Sequence, residues 1–131
     1  MKNHLACPHC RVTLNPSVKV LLVASYRSRK GMILLSPQPG NFKYLCDPTV
    51  EKGLEPGDLV NFACPVCHAS LTSKRNKRFA ELRMHQQGSD DRVIEFSREF
   101  GTHATFIIDG DEIAAFGEDV DDMDGKNFFG A

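Results

Sequence analysis

The 131-residue chain has no tryptophan, only two tyrosines and no long apolar run. Its longest apolar stretch, residues 20–24, is far too short for a membrane helix, which needs about 20 apolar residues. The first residues contain no apolar segment typical of a secretory signal. Five cysteines are an odd number, which argues against a closed disulfide framework. These absences predict a cytoplasmic protein with reduced thiols and no membrane contact.

Catalytic motifs are also missing from the sequence. It contains no glycine-rich phosphate-binding loop, no Gly-x-Ser-x-Gly and no His-Glu-x-x-His. No acid and base pair and no nucleophile with a neighbouring base can be identified. We therefore do not expect an enzyme. A pocket that enclosed Cys46, a histidine and a carboxylate would be the best argument for one.

The charges that are present are distributed unevenly along the chain. Residues 1–87 hold thirteen Lys or Arg against five Asp or Glu, whereas residues 88–131 hold three against twelve. The net charge of −1 therefore conceals a basic part and an acidic part. Such asymmetry indicates an interaction tail, or two faces of opposite potential within one fold.

Two ten-residue segments, 5–14 and 62–71, are near copies with five identical positions. Each contains a Cys-Pro-x-Cys motif, and two such pairs supply four thiolates, a complete tetrahedral shell for zinc. The proline presets φ for a tight turn, in which backbone N–H groups can donate to the sulfurs. A full shell leaves no open coordination position, so the metal would be structural. We predict one structural Zn²⁺ bound by Cys7, Cys10, Cys64 and Cys67.

The two motifs, Cys-Pro-His-Cys at 7–10 and Cys-Pro-Val-Cys at 64–67, resemble the knuckles of the zinc-ribbon structural class. That resemblance implies β-hairpins capped by metal-binding turns. Zinc ribbons serve in transcription and translation, in nucleic-acid enzymes and as protein adaptors, so the class does not select one function. Its knuckles often have glycine after the second cysteine, where this chain has Arg11 and His68.

Some of these residues allow other interpretations. Cys-Pro-His-Cys is also found in some thioredoxin-like oxidoreductases, but there it opens a helix, which Asn15-Pro16 would prevent here. Cys46 is expected to be a small buried apolar residue. His4 and His9 flank the first pair, and we expect them beside the metal site, although either could replace a cysteine as a ligand.

Short alternating segments bounded by turn residues predict an all-β chain of seven to nine strands. Asp109-Gly110 is a strong hairpin signal, and residues 47–54 could contain a short helical turn. We expect a zinc ribbon elaborated by antiparallel β-hairpins and a β-meander over 1–117, then an acidic, flexible tail over 118–131. The predicted strands cover residues 18–26, 32–36, 42–46, 59–62, 80–85, 92–100, 105–109 and 112–116.

The leading functional prediction is a non-catalytic zinc-binding protein that acts as a protein-interaction or regulatory adaptor. The alternative is a nucleic-acid-binding regulator, because two basic loops could contact phosphates, and three aromatic rings, if exposed, could stack on bases. The same residues are also explained as solvated hairpin tips and core aromatics. The acidic tail could then mask the loops. The basic residues are Arg27, Arg29, Lys30, Lys74, Arg75, Lys77 and Arg78, and the aromatic ones are Phe42, Tyr44 and Phe79.

Overall fold

The computed structural model describes residues 4–15, 19–38, 40–85 and 91–119. Within these residues the backbone forms nine β-strands and one four-residue helix, which confirms the all-β prediction. The elements are β1 (His4–Ala6), β2 (Val20–Tyr26), β3 (Arg29–Leu35), β4 (Tyr44–Cys46), α1 (Pro48–Glu51), β5 (Asn61–Ala63), β6 (Phe79–His85), β7 (Arg92–Ser97), β8 (Thr105–Asp109) and β9 (Glu112–Phe116).

The strands form two antiparallel sheets that share a core. The five-stranded sheet has the order β1-β6-β7-β8-β9, and the four-stranded sheet has the order β4-β3-β2-β5. Alternate side chains of the strands point inward, as the period of two predicts. The rings of Phe62 and Phe96, one from each sheet, meet edge to face with centroids 5.3 Å apart. The main buried cluster therefore lies between the sheets and includes Leu22, Leu82 and Ile94.

The two cysteine-containing repeats fold alike. In the first, the N–H of Leu14 donates to the carbonyl of Leu5 over 2.7 Å. In the second, the N–H of Leu71 donates to the carbonyl of Phe62 over 2.8 Å. Each repeat is therefore a short strand, a cysteine turn and a returning segment. Sequence similarity between the segments is matched by similarity of their hydrogen bonds.

Strand pairing is exchanged between the repeats. β1 of the first repeat pairs with β6, which follows the second repeat, so that Leu5 lies opposite Met84. β5 of the second repeat pairs with β2, which follows the first repeat, so that Phe62 lies opposite Ala24. Each repeat thus contributes a strand to the sheet of the other. The four cysteines lie where these two exchanged strands end.

The single helix of the described residues, α1, begins immediately after Asp47. The Asp47 carboxylate accepts a hydrogen bond from the N–H of Thr49 over 2.9 Å, which is the usual side-chain cap of a helix start. Pro48 suits the first helical position, where no N–H is needed. The short helical turn predicted in 47–54 is therefore confirmed. No helix in the described part of the chain is long and apolar enough to cross a membrane.

Two hairpins test the turn predictions. β8 and β9 have the predicted bounds, and Asp109 pairs with Glu112 across a two-residue loop. The turn predicted over 27–31 is shorter than expected, since Tyr26 pairs with Arg29 and only two residues form the loop. The extended, exposed side chains of Arg29 and Lys30 belong to β3. A strand accepts long polar side chains on its solvent face. A turn inferred from a run of polar residues alone therefore included two residues that belong to the strand.

A second, smaller core lies on the other face of the five-stranded sheet. It is formed by Phe79, Ala104 and Phe106. The fully buried Glu95 lies opposite Phe106 in the strand pairing. The hydroxyl of Ser73 donates to Glu95 Oε2, whereas Oε1 has no hydrogen-bond partner among the described residues. Burial raises the pKa of Glu95, although Ser73 and the nearby charge of Arg75 act against that rise.

Replacing this carboxylate should stabilise the protein at neutral pH. In the folded chain the pKa of Glu95 lies above its ordinary value of 4.5, so the folded state holds its proton more tightly than the unfolded state does. The contribution of Glu95 to stability is therefore fully present below pH 4.5 and is lost as pH rises through the raised pKa. We expect Glu95→Gln to raise the free energy of unfolding at pH 8 by about 1–3 kcal/mol, the cost of an unpaired buried polar group.

The measurement is urea denaturation at pH 5 and pH 8. The gain should be larger at pH 8 than at pH 5. Glu112→Gln, at an exposed carboxylate of β9, is the matched control and should change little at either pH. An equal effect of Glu95→Gln at both pH values would contradict the raised pKa of Glu95 in the folded protein.

Candidate metal centre and adjoining cavity

The turns that follow β1 and β5 bring four cysteines together. The Sγ atoms of Cys7, Cys10, Cys64 and Cys67 all lie within 4.8 Å of one another. The Cys7 and Cys67 sulfurs are 3.8 Å apart, and those of Cys10 and Cys64 are 3.7 Å apart. Both distances are far beyond a disulfide bond of about 2.05 Å. The predicted metal-ligand set is therefore gathered at one point.

The spacing of the sulfurs suits a tetrahedral metal. Zinc binds thiolates at about 2.3 Å, and a tetrahedron with that radius has edges of about 3.8 Å. Cys7 and Cys64 are buried, whereas Cys10 and Cys67 are exposed. The ring of His9 lies near the carbonyl of Ser70, with Nε2 3.1 Å from its oxygen, so His9 lies beside the cluster and is not part of it. The four cysteines can hold a metal ion, and their chemistry is consistent with zinc.

The two cysteine turns have the same hydrogen bonds. The Cys7 sulfur accepts from the N–H of His9 over 3.3 Å, and the Cys64 sulfur accepts from the N–H of Val66 over the same distance. A further N–H reaches each sulfur from the second cysteine of its own pair, over 3.5 Å and 3.4 Å. Such donors stabilise thiolate over thiol.

The residues after the second cysteines have left-handed backbone conformations. φ is 66° at Arg11 and 64° at His68. Glycine is the residue that adopts this conformation at least cost, which explains its frequency at this position in zinc-ribbon knuckles. This chain places a large side chain there twice. Both turns therefore adopt the left-handed conformation without glycine.

The cysteines of the cluster differ in the pKa of their thiols. Burial raises the pKa of Cys7 to about 12, despite its two N–H donors. Burial acts in the same direction on Cys64, but its backbone donors and the neighbouring thiols outweigh it and lower the pKa to about 7. Four closely spaced thiols cannot all ionise unaided, because the negative charges repel one another. A divalent cation removes that repulsion by taking the place of the protons.

A cavity of about 320 Å³ lies next to the cysteine turns, between the two sheets. Its walls are mostly apolar and come from both sheets. Leu5 and Phe62, the first residues of the two repeats, both line it, and each lies two positions before a buried cysteine. Further apolar lining residues are Val20, Ala24, Ile33, Leu82, Ile94 and Phe96.

Cys46, His103 and Glu99 also line this cavity, which is the combination that would favour an enzyme. His103 and Glu99 each have another charged partner. His103 stacks on Phe42, with centroids 4.7 Å apart, and its Nδ1 is 2.9 Å from a carboxylate oxygen of Glu118. Glu99 accepts from Arg78 Nε over 2.7 Å. Burial raises the pKa of the Cys46 thiol, which disfavours the nucleophilic thiolate.

The seven basic residues predicted to contact nucleic acid are all exposed, but several already have partners. Arg78 forms an ion pair with Glu99, and the guanidinium of Arg27 lies over the ring of Tyr26 at 5.3 Å. The peptide N–H of Arg75 donates to the hydroxyl of Ser73 over 3.1 Å, which folds the second loop tightly. The exposed set is Arg27, Arg29, Lys30, Lys74, Arg75, Lys77 and Arg78.

The predicted stacking aromatics are placed differently from one another. Phe79 is fully buried against Phe106, so its ring does not meet the condition of exposure that stacking on a base requires. It begins β6, and its side chain points into the second core. Phe42 is half-buried against His103, and Tyr44 donates its hydroxyl to Glu51 over 2.6 Å. Of the three, Tyr44 alone is exposed.

The start of the predicted acidic tail contacts the β domain. The N–H of His103 donates to Asp119 over 2.8 Å, and the N–H of Asp119 donates to the carbonyl of His103 over 3.1 Å. The remainder of that prediction, residues 120–131, lies outside the described residues.

Comparisons of the chain with protein-family models, curated proteins and solved structures found no match.

Proposed function

We propose that the protein is a non-catalytic binding protein in which one structural Zn²⁺, held by the four clustered cysteines, fixes an apolar ligand cavity between two sheets. The observation that carries this proposal is the shared position of Leu5 and Phe62. Each lies two residues before a buried cysteine of the cluster and also lines the cavity.

The metal has a structural role in this proposal. Four thiolates complete a tetrahedral shell, so no coordination position is left for a substrate. The exchanged pairing of β1 with β6 and of β5 with β2 joins both sheets at the cysteine turns. When bound there, zinc links the two repeats by coordinate bonds. The positions of Leu5 and Phe62, and with them the floor of the cavity, follow from that link.

The cavity has the properties of a binding site for a small molecule. Its volume is at the lower end of the range for such sites, about 300–1,000 Å³, and its walls are mostly apolar. Two of its polar lining residues, His103 and Glu99, are engaged by Glu118 and Arg78, and the remaining polar groups can recognise a ligand. Binding without catalysis is therefore the function we assign to it.

The proposal is tested with zinc analysis and a neutral apolar fluorophore, 1-aminoanthracene. We expect one zinc per chain and saturable fluorescence enhancement by the zinc-loaded protein. Ala24→Leu fills the cavity from β2, and we expect it to weaken probe binding at least tenfold. Ala115→Leu makes the same change at an exposed position outside the lining and should not affect binding. Absence of saturable binding, or equal binding by both variants, would reject the proposal.

The adaptor and nucleic-acid hypotheses remain predictions. The adaptor hypothesis is compatible with exposed apolar side chains on the four-stranded sheet, where Leu45 is 66% and Met32 is 43% exposed. The nucleic-acid hypothesis depends on the exposed basic side chains of the two loops. A salt-titrated binding assay with single-stranded and duplex nucleic acid distinguishes them, because phosphate contacts make affinity fall steeply with salt.

A further inference from the structure

Arg98 is a buried cation at the surface of the cavity. It follows β7 directly, its residue is only 9% exposed, and it contributes to the cavity lining. Nε donates to the carbonyl of Val60 over 2.9 Å, and Nη2 donates to the amide oxygen of Asn61 over 2.7 Å. Nη1 donates to the carbonyl of Lys77. All three acceptors are neutral oxygens.

The positive charge of Arg98 has no carboxylate partner among the described residues. Glu99, its neighbour in sequence, is paired with Arg78 and also accepts from the hydroxyl of Thr102 over 3.1 Å. A guanidinium has five N–H groups, and the hydrogen bonds of Arg98 account for three. One N–H on Nη1 and one on Nη2 have no acceptor among the described residues and remain for a ligand. Neighbouring guanidinium N–H groups can bind a carboxylate in a forked arrangement.

A buried, unneutralised cation is costly, so it favours any anion that can reach it. The cavity provides the route, since its lining includes both Arg98 and the apolar core residues. The other cationic side chain of the lining is Lys43. The one lining carboxylate, Glu99, is already neutralised by Arg78. The site therefore combines apolar walls with an excess of positive charge.

We propose that this cavity binds a small anionic amphiphile, a straight-chain monocarboxylate, whose chain lies along the apolar walls and whose carboxylate contacts Arg98. This inference rests on the proposed function and adds the chemical class of the ligand. Residues from the core hold the chain, and the two free N–H groups of Arg98 select the head group. A neutral or cationic head group of equal chain length leaves those groups unpaired.

The experiment compares decanoate, 1-decanol and decylamine by displacement of 1-aminoanthracene from the zinc-loaded protein. We expect decanoate to bind about tenfold to a hundredfold more tightly than 1-decanol, the usual value of a hydrogen bond to a charged group. Decylamine should bind most weakly. Decanoate should also slow the alkylation of Cys46 by iodoacetamide, followed by mass spectrometry, because Cys46 lines the same cavity.

Two variants locate the head-group contact. Arg98→Gln should abolish the preference for decanoate over 1-decanol, and Arg98→Lys should keep part of it because the charge remains. Thermal melts check that both variants fold. If Arg98→Gln fails to fold, the comparison of the three probes on the unmodified protein still decides the question.

Each outcome has one meaning. Equal affinities for decanoate and 1-decanol would overturn the ligand class and leave the cavity as an apolar binding site. Tighter binding of decylamine than of decanoate would also overturn the ligand class. Failure of all three probes and of 1-aminoanthracene to bind would reject the proposed function itself. Decanoate binding without protection of Cys46, together with an unchanged preference for decanoate in Arg98→Gln, would place the carboxylate site elsewhere and so overturn the inference.

Discussion

Cys64→Ser is expected to leave no folded protein at 25 °C. Cys64 is buried at the cluster and accepts two backbone N–H bonds, so its loss removes one of the four sulfurs of the candidate metal centre and an anchor of the second turn. Structural zinc in small domains contributes an apparent binding free energy of about 10–16 kcal/mol. That exceeds or equals the whole stability of a typical domain, about 5–15 kcal/mol. The sheets joined at the cysteine turns should therefore separate.

The measurements are zinc content by mass spectrometry, far-ultraviolet circular dichroism and a thermal melt. Cys46→Ser is the matched control, because this thiol lies outside the cluster and is only half-buried. It should retain zinc and lose less than about 1 kcal/mol. Removal of the metal from the unmodified protein by a strong chelator should reproduce the effect of Cys64→Ser. A Cys64→Ser protein with the melting temperature of the unmodified chain would show that the cluster is not the metal site.

Gly117→Ala should strongly destabilise the protein. Gly117 has φ 116°, which residues with a side chain rarely adopt. A Cβ there would lie 2.8 Å from the carbonyl carbon of His103 and 2.9 Å from Cζ of Phe42. Backbone strain costs about 1–3 kcal/mol. Overpacking costs a further 1–3 kcal/mol, approximately.

Gly57→Ala separates the two causes. Gly57 also has a positive φ, 95°, but a Cβ there would meet nothing within 4 Å. This control should show the strain alone, so the difference between the two variants in urea denaturation measures the steric term. His103 and Phe42 line the cavity, and Gly117→Ala should therefore also weaken binding of 1-aminoanthracene. Equal losses for both variants would contradict the close approach of residue 117 to His103.

Much of the candidate metal site could be predicted from sequence because its chemistry is local. Two Cys-x-x-Cys pairs fix both the ligands and the turn that presents them, and the near copy of ten residues indicated that the pairs act together. Strand positions followed from alternation of apolar residues, as in β8 and β9. The bounds of the β2–β3 turn were harder to predict from sequence. The exposed cationic residues Arg29 and Lys30 fit a loop and the solvent face of a strand equally well.

The cavity could not be predicted in the same way. Alternation shows which side chains point inward, but it does not show how closely two sheets approach each other. The lining of the cavity comes from segments as distant as Leu5 and Thr105. Arg98 gave no signal in sequence, because a single arginine after a strand is ordinary. Its importance follows from burial beside neutral acceptors, which only the three-dimensional packing reveals.

The exchanged strands of the two repeats have a consequence for the order of assembly during synthesis. β1 is synthesised well before its partner β6, which is made only after the second cysteine turn. Until then Cys7 and Cys10 are an incomplete dithiol without Cys64 and Cys67, exposed to oxidation and to competing metals. Contacts between parts of a chain so far apart form slowly. The nascent chain therefore passes through an interval in which only two of the four clustered cysteines have been made.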